Sequence, residues 1–463
     1  MKSHILVDEI NRLKDHRLFG RVTGILGMMA EIGGVEYALS IGDRLTIAAR
    51  NQRMIPAEVV GFRGDRALVM PLSTLEGAGI GCTADVTETS PALFPHISWL
   101  GRVIDGFGNP IDGKGPLQYG SIPYKIRNSP PPAHERARIG GKLDLGVRAL
   151  NQFLTCCSVQ RMGIFAGSGI GKSTLLSMIA RYTSADVSVI GLIGERGREV
   201  QDFIHDDLGP EGLARSVLVV STSDESPVLR RQAAYVTMAV AEYFRDQHKD
   251  VLCLMDSVTR FAMAQREIGL SAGEPPASKG YTPTVFAELP KLLERAGPGR
   301  AVRHHNEGKP GSITGLFTVL VEGDDHNEPI SDAVRGILDG HIVLERAVAE
   351  RGRYPAINIL RSISRTMPGC NSEAENQVVN RARQLLAAYE DMAEMIRLGA
   401  YRLGSDARID EAIKFNPDLE AFLSQRKDER EDLATGYAHL AKLLAMPWGA
   451  DAAATGTNLA PQA

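Results

Sequence analysis

The spacing of apolar positions along this 463-residue chain changes several times, and each change marks a different kind of structure. Between residues 4 and 18, Ile5, Leu6, Ile10, Leu13 and Leu18 recur at helical spacing among charged residues, which predicts a short amphipathic helix ending the segment 1–18. Such a helix either packs on its own domain or docks a partner. Over 19–95 the chain breaks into short apolar runs, GRVTGIL, EYALSI, RLTIAA, AEVVGF and RALVMPL, separated by Gly and Asp. Regular short strands with tight turns predict a small β-barrel or sandwich. The passages RVIDGFGNPIDGKGPL and IRNSPPPAHERARI then read as a connector that continues neither helix nor sheet.

From 151 to about 365, β-type runs (RMGIFA, VSVIGLI, SVLVVS, VLCLMD) alternate with helical ones that begin at Lys172, near residue 198 and at Pro227. That alternation predicts βαβ units, a parallel sheet covered by helices on both faces. The predicted domains are therefore the barrel at 19–95 and a central domain with its leading connector at 96–370. A strand-free amphipathic helical domain follows at 371–448, and the Ala-, Gly- and Thr-rich stretch 449–463 reads as disordered.

Charge adds an exclusion. Fifty-two Lys and Arg against 56 Asp and Glu leave a formal net charge of −4 without long single-sign blocks, which argues against nucleic acid as the main partner. The five cysteines form no C-x-x-C pair, so reduced thiols in a cytoplasmic protein are expected. No apolar run approaches the ~20 residues that cross a bilayer, so the protein is expected to be soluble and any membrane contact peripheral.

The chemistry starts at AGSGIGKST, Ala166 to Thr174. The phosphate-loop pattern G-x-x-x-x-G-K-[ST] wants glycine where Ala166 stands. If the backbone there has negative φ, a methyl group costs little. Gly167, Gly169 and Gly171, with Ser168 and Ile170 between them, let backbone N–H groups wrap phosphates, and the following helix turns its positive end toward them. Lys172 would then meet the β- and γ-phosphates and Ser173 would serve Mg²⁺.

Two acidic residues end apolar strands. Asp256 in VLCLMDS fits a carboxylate that orients Mg²⁺ through water, or a helix N-cap. Glu195 in LIGERGRE could polarise the attacking water, or sit in a loop paired with Arg196 or Arg198. Tyr354 by itself reads only as part of a strand and turn.

PAINILRSIS, 355–364, resembles the signature of the ATPases of the rotary ATP synthase catalytic-subunit type. Within them the chain looks most like the type III export ATPases, the flagellum-specific kind in particular. Three segments carry that resemblance: LMDSVTRFAMAQREIGLSAGEPPASKGYTPTVFAELPKLLERAG from 254 to 297, GRVIDGFGNPIDGKGPL in the connector, and LGAYRLGSDARIDEAI near the C-terminus. The implied fold is an N-terminal β-barrel, a central RecA-like P-loop domain with a parallel sheet, and a C-terminal helical domain.

The resemblance implies ATP as substrate with Mg²⁺, alanine being common at the position of Ala166. It makes Lys172 a phosphate ligand, Ser173 and Asp256 the Mg²⁺ residues, and Glu195 the catalytic glutamate with Arg196 beside the γ-phosphate. Tyr354 would stack on adenine. Arg365 would reach the nucleotide of a neighbouring subunit, which implies a homo-oligomeric ring, expected to be a hexamer. The partners implied are regulatory and stalk proteins, export chaperones and their substrates, and a membrane export gate touched from the cytoplasmic side.

Three other functions share parts of this pattern. A rotary synthase catalytic subunit has the same nucleotide residues but alternates with a second chain. An RNA-dependent hexameric ATPase would want stacking aromatics in the barrel. A nucleotide-binding regulator without turnover has no need of Glu195. The segment GPGRAVRHHNEGKPGS, 297–312, is expected to be a flexible exposed loop, and its adjacent His304 and His305 are assigned no metal.

Overall fold

The computed structural model describes residues 17–88, 91–136, 139–299, 310–321 and 328–448. The predicted N-terminal helix, save residues 17 and 18, lies outside them, as do the tail from residue 449 and positions 300–309 with His304 and His305.

Strands β1 (Phe19–Leu26), β2 (Met29–Gly33), β3 (Arg44–Ala48), β4 (Met54–Arg63), β5 (Arg66–Pro71) and β6 (Thr83–Glu88) close a barrel in the order β1-β2-β5-β4-β3-β6. Alternation fills it: Leu45 and Ile47 of β3, Ile55, Ala57 and Val59 of β4 and Ala67 and Val69 of β5 all point into one core. One expected strand is not there. EYALSI forms a single 3₁₀ turn, Glu36–Ala38, because local side chains capture the backbone. The Gly34 N–H donates to the Glu36 carboxylate at 2.7 Å, and the Ser40 N–H to the Asp43 carboxylate at 2.7 Å.

The connector holds two two-residue strands, β8 (Val103–Ile104) and β9 (Tyr124–Lys125), and β7 (Ala92–Leu93), just before it, pairs with β9. Contrary to expectation it does continue a sheet. Val103 and Ile104 pair in parallel with Leu218 and Val219 at the sheet's edge, and the Asp105 carboxylate closes the loop behind them by accepting the Phe107 and Asn109 N–H groups at 2.8 and 2.9 Å.

The central strands are β10 (Arg161–Ala166), β11 (Val187–Glu195), β12 (Ser216–Thr222), β13 (Asp250–Asp256), β14 (Gly297–Pro298), β15 (Ser312–Leu320), β16 (Gly340–Leu344) and β17 (Ile357–Ser364). Their order is β17-β16-β10-β15-β13-β11-β12-β8, with β14 against β15. From β16 to β8 the ladder is parallel; β17 alone on that path runs antiparallel. Strands such as VSVIGLIGE are near-continuously apolar because helices cover both faces. The helix Pro227–Asp246, starting at its predicted residue and capped by Ser226, lies almost wholly buried on one face. Pairing of Gly297 with Ile313 and Pro298 with Ser312 ties together the two ends of the predicted 297–312 loop.

Helices Glu373–Arg397, Ala407–Leu423 and Leu433–Leu443 follow. Ser372 and Glu375 form a capping box at the start of the first. Phe422, Tyr437 and Leu440 extend the core of one sheet face, so helices and sheet share a continuous interior. Among the described residues no helix is long and apolar enough to cross a membrane.

Barrel and central domain meet at a buried charge. Glu58, on β4, accepts from Arg231 at 2.5 Å and from Arg127 at 2.7 Å, and both Glu58 and Arg231 are almost fully inaccessible. Removing one partner of a buried pair strands the other charge. Glu58→Ala is therefore expected to destabilise the protein by about 3–5 kcal/mol, read from urea unfolding. A loss under about 1 kcal/mol would show the pair to be solvated.

Candidate active site

Parallel strands end together, and here the carboxyl edge of the sheet gathers the predicted residues. In the order β10-β15-β13-β11, the phosphate loop leaves β10, Asp256 ends β13 and Glu195 ends β11. Crevices at this edge are where open α/β sheets bind ligands.

Ala166 is fully buried as the last residue of β10, and its φ is negative, so the methyl group is accommodated as anticipated. The left-handed positions come later, at Gly169 (φ +77°) and Gly171 (φ +85°), where a side chain would be strained. Gly171 precedes the helix Lys172–Tyr182, and its closeness to the Tyr354 ring leaves little room: a Cβ there would lie 3.3 Å from it.

Lys172 is held by two carboxylates. Its ammonium donates to Asp256 in a short ion pair and to Glu195 at 3.4 Å, with all three side chains largely buried. Asp256 also accepts from the Thr318 hydroxyl at 2.7 Å. It is not the helix cap: that role falls to Ser257, whose hydroxyl accepts the Arg260 N–H. Nor is Glu195 an exposed loop residue, since Arg196 pairs instead with Glu199 at 3.1 Å and Arg198 with Asp202 at 3.6 Å.

Burial, then the neighbouring charge of Asp256, push the Glu195 carboxyl up to about 7, while Lys172 pulls the other way. Burial also disfavours the Lys172 charge, yet Asp256 and Glu195 outweigh it and raise the ammonium above its ordinary range.

Two clefts flank the loop. One, of about 850 Å³, is lined by Gly167 to Gly169, Gly171 to Thr174, Glu195, Arg196 and Arg346. Arg346 donates to the Ser168 carbonyl at 3.1 Å and so braces the loop from outside. The other, of about 490 Å³, lies between Gly171, Thr174, the Tyr354 ring and the segment Gln425–Asp428. Tyr354 is 46% exposed, which rules out a core tyrosine. The Gln425 N–H donates to the Tyr354 carbonyl at 2.7 Å, and the Tyr182 hydroxyl to the Lys427 carbonyl at 3.0 Å.

Arg346, Thr318 and Gln425–Asp428 escaped the sequence reading. Thr318 had one signal, a polar residue within the buried run SITGLFTVL; the others approach from distant parts of the chain.

Arg365 is not brought to this edge. Strand β17 runs back down the sheet, and the Arg365 N–H donates to Asp339, whose N–H donates to Arg161. Arg161 lies five residues before Ala166, so Arg365 sits about 16 Å along the strand direction from the loop, at the opposite end of the sheet. Its side chain is exposed.

A phosphate loop opening a helix, with carboxylates on adjacent strand ends, defines a P-loop nucleotide hydrolase of RecA-like fold. The profile described as "ATP synthase alpha/beta family, nucleotide-binding domain" matches residues 146–364, and that of the "T3SS EscN ATPase C-terminal domain" matches 371–442. The flagellum-specific ATP synthase of Caulobacter vibrioides is 57% identical, with 95% of this chain and 98% of that one aligned. Assembled EscN of the enteropathogenic E. coli type III secretion system superposes with a TM-score of 0.83 at 38% identity, covering 92% of this chain and all of the other. EscN in complex with its central stalk EscO gives 0.82 at 38% identity and the same coverage. The chain belongs to the type III export ATPases of the ATP synthase alpha/beta family, and it is an ATP-hydrolysing enzyme. The C-terminal match separates it from the rotary synthase subunits.

The raised carboxyl of Glu195 has a pH signature. A carboxyl near 7 when folded and 4.5 when unfolded contributes stability below about 4.5 that is lost as pH rises through about 7. Glu195→Gln removes the loss, so the nucleotide-free variant should gain up to about 3 kcal/mol on wild type between pH 5 and 8. Thermal melts at both pH values measure it; an equal difference at the two would contradict the shift.

Proposed function

We propose that this chain is the ATP-driven motor of a bacterial type III export apparatus, flagellar in kind, working as a homo-hexameric ring. The observation that carries this reading is the separation of Arg365 from the phosphate loop of its own chain. An exposed arginine at the far end of the sheet suits a neighbour's nucleotide, where it would stabilise transition-state charge.

Within one chain the division of labour follows from the geometry. On nucleotide binding, the Lys172 ammonium exchanges its carboxylate partners for the β- and γ-phosphates, whose oxygens the backbone of Gly167–Gly171 receives at the positive end of the helix. The Ser173 hydroxyl and, through water, the Asp256 carboxylate fit Mg²⁺, which favours oxygen donors and keeps part of its water shell. That ion would neutralise charge on the phosphates. Glu195, freed from Lys172, orients the attacking water and takes its proton, with Arg196 beside the γ-phosphate. Tyr354 stacks on adenine, and the Gln425–Asp428 segment closes the other side.

The export role is supported by the family and by relatives assembled with a stalk protein. The ring would sit at the cytoplasmic face of the membrane export gate, meet regulatory and stalk proteins, and release export subunits from their chaperones. The domain limits at 95, 370 and 448 belong to the same reading.

Arg365→Ala is expected to assemble and bind ATP normally while hydrolysis falls by roughly 10³–10⁵. Wild-type hydrolysis per chain should rise with protein concentration as rings form, measured by phosphate release alongside sedimentation. Full activity in assembled Arg365→Ala rings, or a rate per chain independent of concentration, would overturn the in-trans assignment.

A further inference from the structure

The strand between the phosphate loop and Asp256 carries a hydroxyl where an apolar side chain would pack as well. In the order β10-β15-β13, Thr318 of β15 pairs with Ile164 of β10, which offers no side-chain acceptor. On its other side Phe317 pairs with Met255, so Thr318 comes next in line with Asp256. Thr318 is fully buried in a run that includes Leu316, Phe317 and Val319. Valine has the same branching at Cβ, so the strand itself does not call for the hydroxyl.

A threonine hydroxyl has one hydrogen to donate. Two oxygens are within reach, Asp256 Oδ1 at 2.7 Å and the Met255 carbonyl at 3.3 Å. The shorter distance and the negative charge both favour the carboxylate. Lys172 donates to that same Oδ1. One carboxylate oxygen thus has two donors, one fixed within the sheet and one at the loop that phosphates must enter.

We propose that Thr318 is a positioning residue for nucleotide binding: its hydroxyl keeps Asp256 hydrogen-bonded and in place when Lys172 transfers to the phosphates. This role depends on Lys172 exchanging its carboxylates for phosphates, the reading proposed above. Without nucleotide, Oδ1 has both donors. With nucleotide bound, the Thr318 hydroxyl remains on it, and a buried carboxylate oxygen deprived of that donor as well would carry a desolvation penalty. The penalty falls on the bound state, because the nucleotide-free site keeps its Lys172 ion pair. Thr318 therefore lowers the cost of releasing Lys172.

Its setting suits a fixed donor. Two heavy branches on Cβ restrict χ1, and ladders to β10 and β13 hold the backbone on both sides. Two residues on, the Leu320 N–H donates to the Thr259 hydroxyl at 2.9 Å and ties down the end of the strand.

ADP binding to the full-length protein tests this, measured by calorimetry in EDTA so that no metal-bound water supplies a replacement donor. Thr318→Val, which keeps the branching and removes the hydrogen, should weaken ADP binding by about 5- to 150-fold, as expected for one buried acceptor left unpaired. Thr318→Ser, which restores the hydroxyl, should bind within about threefold of wild type. Nucleotide-free Thr318→Val should melt within about 2 °C of wild type, because Lys172 still pairs with Asp256. Wild-type affinity in Thr318→Val, or equal losses in Thr318→Val and Thr318→Ser, would overturn the role of the hydroxyl. So would a lowered melting temperature with no change in affinity. Undiminished ADP binding by Lys172→Ala would instead count against the transfer of Lys172 itself.

Discussion

Everything at the working edge of the sheet depends on one buried cation shared by two buried carboxylates. Lys172, Asp256 and Glu195 come from three separate strand–loop junctions, and none could be buried alone at acceptable cost. Together they hold one another in the cleft that phosphates must enter. Lys172 is held by carboxylates that a phosphate could replace, and burial and the Asp256 charge push the Glu195 carboxyl up to about 7. A polyanion that takes Lys172 away changes the partners of both carboxylates at once, which on the proposed reading couples substrate binding to the group that handles water.

The second constraint is the direction of one strand. With β17 parallel, the residue after Ser364 would have ended near the phosphate loop. Because it is antiparallel to β16, Tyr354, before its start, reaches the cleft beside Gly171, and Arg365, after its end, emerges on the far side. One eight-residue strand thus separates a ring that lines the cleft beside the phosphate loop from an exposed arginine on the far side of the sheet. The C-terminal helices complete the first end through Gln425, whose N–H holds the Tyr354 carbonyl.

Much of this was legible in the sequence, for particular reasons. The phosphate loop and the strands RMGIFA, VSVIGLI and VLCLMD could be read because glycine spacing and unbroken apolar runs are local signals, and the two carboxylates lay at their ends. The placement of Ala166 needed only the argument that the loop turns after it. What could not be read is what depends on distant contact: Arg346 on the Ser168 carbonyl, Thr318 on Asp256, and the 425–428 segment beside the Tyr354 ring. EYALSI failed for a different reason, since its alternation was real but Glu36 and Asp43 captured backbone donors and made a turn. Val103 and Ile104 were hidden by the turn-forming residues around them, although the sheet edge needed only two apolar residues.

The central claim is that a working site is made from two chains, and complementation tests it most directly. Lys172→Ala and Arg365→Ala chains, each inactive alone, would be mixed, dissociated and reassembled. About one interface in four should then pair an intact phosphate loop with an intact arginine, so ATP hydrolysis should reappear. Rings that assemble from both chains yet stay inactive at every mixing ratio would contradict the account.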